Sequence, residues 1–149
     1  IRDRATICRG CERAGRVADP ANWRVAKSVF VAKDRATAKA YATDPNGPYY
    51  FYYKSLYTKL AKNGRIELFK THRDQPDHEV TLDFVCDKLI IYGEPEEVAE
   101  KILAFQEETG PFGKLLYAGK DWTDYELGRQ SMILMAEKVL PRINAHVNR

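Results

Sequence analysis

The chain is poor in the features that would tie it to a bilayer, a disulfide framework or a polyanion. No apolar stretch approaches the roughly 18 residues that cross a membrane. The opening IRDRAT is charged and lacks the apolar centre of a signal peptide. Three cysteines in 149 residues are too few to staple a small secreted fold, so the expected setting is a reducing cytoplasm. The formal net charge of +3 comes without a dense lysine and arginine run, which argues against nucleic acid as a partner. Metal-ligand spacing is missing too. Cys8 and Cys11 form a CxxC, but no second CxxC or HxxxH completes a zinc site. No strand can be placed ahead of it to make a thioredoxin-like dithiol, so two cysteines sharing one helical face is the preferred reading. His72 and His78 match no standard ligand set, and no metal is expected.

What is present suits one domain with a real core: 44% of residues are hydrophobic and 30% charged. The organising stretch is Lys88 to Ala118. Leu89 to Tyr92 is a short apolar run of the kind found in a strand buried on both faces. Pro95 stands at the first helical position, where its missing N–H costs nothing, and Glu96 and Glu97 favour the helix N-terminus. Val98, Ile102 and Phe105 follow at helical spacing. Gly110 and Pro111 stop the helix, and Lys114 to Ala118 returns as a strand. Strands joined through such a helix run parallel, as a right-handed βαβ unit.

Elsewhere, Arg2 to Ala14 reads as a helix ending at Gly15, and Trp23 to Ala32 as a strand. Asp34 can cap a helix over Arg35 to Ala42. Pro48 opens an aromatic helix over Tyr49 to Gly64. Its tyrosines allow two readings: ordinary packing with hydroxyls at the solvent edge, or an aromatic wall for a flat cofactor or apolar substrate. Arg65 to Asp87 is polar and aperiodic, and reads as a long loop. It is either a lid presenting Lys70 or Arg73 to an anion or a solvated connection. The last helix should start near Asp124, carry Met132, Met135, Ala136, Val139 and Ile143 on one stripe, and kink or end at Pro141. The chain begins at Ile1 inside a helical pattern with no cap, so a piece of a longer protein is expected.

Four motifs in order add a resemblance: G-x-P-E-E-V at Gly93 to Val98, E-x-T-G-x-F-G at Glu107 to Gly113, D-W-x-D at Asp121 to Asp124, and S-M-x-L-x-A-E-x-V-x-P-R at Ser131 to Arg142. Together they resemble the C-terminal part of the bacterial luciferase-like, flavin-dependent monooxygenases, in the luciferase and limonene-type subgroup. The resemblance implies an α/β fold, the C-terminal portion of a (β/α)8 barrel, with about three parallel strands (the sixth to eighth), flanking helices and a 65–87 lid. It also implies reduced FMN, rather than the deazaflavin of another branch, and molecular oxygen acting on a small organic substrate. A flavin reductase would supply the reductant, and a homo-oligomer is expected. Lys70, with Arg73 nearby, matches the family's lid lysine, and Tyr49, Tyr50, Tyr52 and Tyr53 become candidate flavin neighbours. Glu94 stands where the family more often has threonine or serine, which weakens any phosphate role for that turn. The alternative is a non-catalytic partial barrel that self-associates or pairs with a missing N-terminal half.

Overall fold

Ser28 to Val31, buried throughout, belongs to the middle strand of a three-stranded parallel sheet. The computed structural model describes residues 4–120 and 122–147. Strand β1 (Arg24–Val31) pairs through its second half with β2 (Ile90–Gly93) and through its first half with β3 (Lys114–Ala118). The order is therefore β2-β1-β3. Side chains alternate across β1, as a pleated strand requires. Phe30 and Ala32 enter one cluster with α2 (Arg35–Ala42), α3 (Pro48–Lys62) and α4 (Leu82–Leu89), whereas Val29 and Val31 enter another. That second cluster is completed by α5 (Pro95–Thr109) and by a π-helical turn, Met135–Val139, which lies between α6 (Tyr125–Leu134) and α7 (Leu140–Val147). Helix α1 (Arg4–Arg13) precedes the sheet, and Gly15 follows it at φ 64°.

Local chemistry sets the element boundaries. The Asp34 carboxylate accepts the Thr37 N–H at 2.8 Å and opens α2. Proline stands in the first turn of both α3 and α5. Gly110 ends α5 at φ 82°. Gly113 lies so close to the Ala21 backbone that a Cβ would collide with it, and its N–H donates to the Trp23 carbonyl at 3.1 Å. The E-x-T-G-x-F-G motif is thus the hinge that returns the chain to the sheet. No helix among the described residues is long and apolar enough to cross a membrane.

The fold is α/β, with parallel strands and flanking helices as expected, but several details differ. Consecutive strands of a closed (β/α)8 barrel are neighbours; here β1 stands between β2 and β3, so the sixth-to-eighth assignment fails in its neighbour order. The physical reason is length: β1, at eight residues against four and five, is long enough to pair with one strand through each half. Arg65 to Asp87 is not a loop throughout, because Thr81 caps α4 and Val85 and Cys86 are buried on that helix. Leu89 closes α4 rather than opening β2. Pro141 neither ends nor breaks the last helix. The π-helical turn immediately before it shifts the hydrogen-bond register, with the Leu140 N–H donating to the Met135 carbonyl, and α7 continues to Val147. Met132 and Ala136 are exposed; the buried stripe runs through Gly128, Ser131, Met135 and Val139. Arg2 and Asp121, named in the readings above, lie outside the described residues.

Candidate functional site

In an open parallel sheet, ligands bind beyond the carboxyl ends of the strands, where the crossovers reverse direction. With the order β2-β1-β3 that point lies between β1 and β3. Their pairing stops at Ser28 opposite Ala118, so Val29 and Val31 turn backbone groups toward a gap. Side chains fill it. The Tyr49 hydroxyl donates to the Val29 carbonyl at 2.7 Å, and the Val31 N–H donates to Ser131 Oγ at 2.8 Å. The Tyr117 hydroxyl lies 3.0 Å from the same Ser131 oxygen. Burial pushes the Tyr49 and Tyr117 phenols up from their ordinary values, so they stay protonated as hydrogen-bonding groups rather than bases.

Beside this network, beyond β3, lies a cavity of about 440 Å³ lined by Gly47, Phe51, Tyr52, Ser55, Lys120 and Thr123, among others. The Lys120 ammonium sits 3.6 Å from the centre of the Tyr52 ring, and burial pulls its pKa down. The N-terminus of α3 opens here at Gly47, without a side-chain cap. Among the described residues the lining holds one cation and no carboxylate. Next to it, Trp122 of the D-W-x-D motif packs on Gly128, where any Cβ would run into the indole ring. Its Nε1 is buried without a partner among the described residues. Asp124 of the same motif accepts the Leu127 N–H at 3.0 Å and caps α6.

The carboxyl ends of β1 and β2 have the opposite character. Glu94 does not cap its own helix; its Oε1 accepts the Arg35 N–H of α2 at 3.2 Å. Glu97 pairs with Arg35 at 3.3 Å and with Lys101 at 2.9 Å. Arg142 of the S-M-x-L-x-A-E-x-V-x-P-R motif reaches Glu96 at 2.9 Å, which ties the last motif to G-x-P-E-E-V. At this turn Glu96 and Glu97 are each matched by a cation.

The sequence-derived candidates are dispersed. Tyr49 and Tyr53 face the sheet one helical turn apart, and the Tyr53 hydroxyl donates to Ser28 Oγ at 2.9 Å. Tyr52 lines the Lys120 cavity, whereas half-buried Tyr50 lines another with Cys86 and Tyr92. Lys70 pairs with Asp77 at 2.6 Å and lines a third cavity beside β2. Its segment is held closed by the Thr71 N–H donating to Gln75 Oε1 at 2.8 Å. Arg73 is exposed. No group of three metal-ligating side chains occurs among the described residues. Sequence reasoning missed Lys120 and Ser131 as site residues. Both sit in or beside quoted motifs, but their roles depend on tertiary contacts.

No protein-family model matches the chain. Over 134 residues, 90% of the chain, it is 34% identical to 4-hydroxyprotoasukamycin monooxygenase of Streptomyces nodosus subsp. asukaensis. It is 28% identical to 3,6-diketocamphane 1,6-monooxygenase of Pseudomonas putida over 87% of the chain, and 27% identical to limonene 1,2-monooxygenase of Rhodococcus erythropolis over the same share. The chain spans about a third of the length of these curated relatives, from 31% to 34%. Among solved structures it matches the oxygenating constituent of 3,6-diketocamphane monooxygenase from the CAM plasmid of Pseudomonas putida, a type II Baeyer-Villiger monooxygenase in complex with FMN. That match has a TM-score of 0.71 and 27% identity, and covers 89% of this chain and 36% of the other. Such an extent is that of a partial barrel.

Proposed function

We propose, starting from a chain whose homologues are monooxygenases of the luciferase-like type, that the protein works in an FMN-dependent monooxygenase. It would use reduced FMN and molecular oxygen to oxygenate a small organic substrate, with a flavin reductase as the source of reductant. The observation that carries this reading is the similarity, over nine-tenths of the chain, to an FMN-complexed oxygenating constituent. Reduced flavin, when bound, supplies the electrons that activate oxygen. The chain's own contribution is binding and orientation.

The cavity at β3 fits the group. Lys120 and the uncapped N-terminus of α3 offer positive charge for the phosphate, and Phe51 and Tyr52 offer apolar surface for the ring. Tyr49 and Tyr53 act at one remove by fixing α3 on the sheet. The trial is reduced-FMN binding and oxygen-dependent turnover of the full-length protein fed by a flavin reductase. Lys120→Met with Tyr52→Ala should weaken FMN binding by about tenfold, the loss of one charged contact. Unchanged affinity in that double variant would remove the cavity from the flavin site.

A second reading, a non-catalytic piece that self-associates, is favoured by one observation. The outer edges of β2 and β3 are unpaired among the described residues, and Leu116 on β3 is exposed. Sedimentation analysis separates the two: a monomer that turns over substrate discards this alternative.

A further inference from the structure

Beside the outer edge of β2 lies a cavity of about 490 Å³ that shares no lining residue with the Lys120 cavity. Four elements of the chain each send a lysine to it: Lys27 from β1, Lys70 from the segment before α4, Lys88 from α4 and Lys101 from α5. Two carboxylates, Asp87 and Glu108, share the lining, and Asp87 already accepts the Tyr92 hydroxyl at 2.9 Å. Two of the four lysines are already paired, Lys70 with Asp77 and Lys101 with Glu97 at 2.9 Å, whereas Lys27 and Lys88 make no ion pair among the described residues. The lysines are not equivalent. Lys101 donates to the Tyr92 carbonyl at 2.8 Å and caps the open edge of β2. Lys70 is held by Asp77 at 2.6 Å, and Lys88 donates to Thr71 Oγ1 at 2.5 Å. Lys27 lies 4.2 Å over the Phe105 ring. Its half-buried ammonium is pulled down by desolvation; Glu108 opposes this, and repulsion from Lys88 adds to it. The cavity therefore holds two ammonium groups outside any ion pair among the described residues, Lys27 and Lys88, against an apolar wall of Phe105, Ile91 and Leu68.

We infer that this groove binds a phosphate monoester, with its phosphate among Lys27, Lys70 and Lys88 and its apolar body against Phe105 and Ile91. A phosphate monoester carries about −1.5 to −2 near neutral pH, against the two ammonium groups, Lys27 and Lys88, that make no ion pair among the described residues. Its three terminal oxygens match three ammonium donors arriving from different elements. A monocarboxylate would leave one lysine uncompensated. The site is independent of the flavin reading, because it uses neither Lys120 nor Tyr52.

Calorimetric titration of the purified protein with phenyl phosphate tests this, with inorganic phosphate and sodium chloride at matched ionic strength as references. Phenyl phosphate should bind more tightly than inorganic phosphate, and chloride should give no saturable heat. Lys88→Met, at an exposed position, should weaken phenyl phosphate by about tenfold, the loss of one charge-assisted hydrogen bond. Lys27→Met, which keeps the apolar stem over Phe105, should do the same, with thermal melts confirming the fold of each variant. Lys62→Met, at an exposed position in neither cavity lining, should leave the binding unchanged. Equal heats for all three salts would overturn the assignment, as would wild-type affinity in folded Lys88→Met, or a loss in Lys62→Met alone.

Discussion

The two faces of the sheet are built from different chemistry. On the face covered by α2, α3 and α4, the core is aromatic, and three tyrosines of α3 end in hydroxyls with assigned partners. Tyr49, Tyr53 and Tyr57, one helical turn apart on α3, reach the Val29 carbonyl, Ser28 Oγ and the Val80 carbonyl at 2.7 to 2.9 Å. On the face covered by α5 and the π-helical turn, Val29, Val31, Val98, Ile102 and Val139 meet as aliphatic side chains, with no directional contact among them. The aliphatic face supplies burial, which depends on volume and little on orientation. The aromatic face adds direction. Each phenol fixes where α3 sits along the sheet, and so where its N-terminus and Tyr52 stand relative to Lys120. Stability rests more on the first kind of contact; the geometry of the candidate flavin cavity rests more on the second.

That contrast can be broken most forcefully from the aliphatic side. Ile102 is 2% exposed, and Ile102→Ala should cost about 3 kcal/mol in urea unfolding, the usual penalty for emptying a core position. Ile102→Val should cost about 1 kcal/mol. Neither should alter the Lys120 cavity. If either variant changed ligand affinity there without a change in stability, the division of labour would be wrong.

Smaller chemical changes on the directional contacts should have disproportionate effects. Tyr49→Phe removes one oxygen and leaves the buried Val29 carbonyl without its donor, at a cost of about 2 kcal/mol. Ser131→Ala likewise orphans the Val31 N–H and should cost about 2 kcal/mol. Both open the gap between β1 and β3, so both should also raise hydrogen exchange at Val29 and Val31, which Ile102→Val should not. A Tyr49→Phe variant as stable as the parent would show that the phenols only fill space.

Much of this architecture could be read from local pattern, and what could not shares one cause. The βαβ stretch was readable because Pro95, Gly110 and the apolar stripe of α5 act within a few residues. Neighbour order was not, because nothing local to Ile90–Gly93 says whether it lies beside β1 or β3; that is decided by which strand is long enough to pair through each half. Helix α4 hid behind its charges, since Asp83, Asp87 and Lys88 on its outer face mask the buried pair Val85 and Cys86. Pro141 misled because a π-helical turn absorbs its missing donor. At the site, motif residues were readable as motifs only. Gly128 looks like a weak point in a helix until Trp122 is seen packed on it, and Ser131 looks like a surface serine until Val31 is found donating to it. The ion pair of Lys70 with Asp77, seven positions away, has no local signal either.

Two aspartate-capped helices, α6 and α2, offer a milder comparison. Asp124 caps α6 through a single bond to the Leu127 N–H, and Asp124→Ala should cost about 1 kcal/mol. Asp34 caps α2 twice, through the Thr37 N–H and the Thr37 hydroxyl, both at 2.8 Å. Those two bonds, the backbone one first, hold its carboxyl below the ordinary value of 3.8. The sign follows from linkage. The unfolded state binds the proton more readily, so the stability Asp34 contributes is fully present above 3.8 and is lost as pH falls through its lower folded value. Asp34→Asn keeps an acceptor at the cap but cannot titrate, so the variant's stability should fall less steeply than the parent's across that acid window, as followed by thermal melts at stepped pH. Parallel acid limbs for parent and variant would mean that the carboxylate's charge is immaterial at this cap, and that the aromatic face is oriented by its phenols alone.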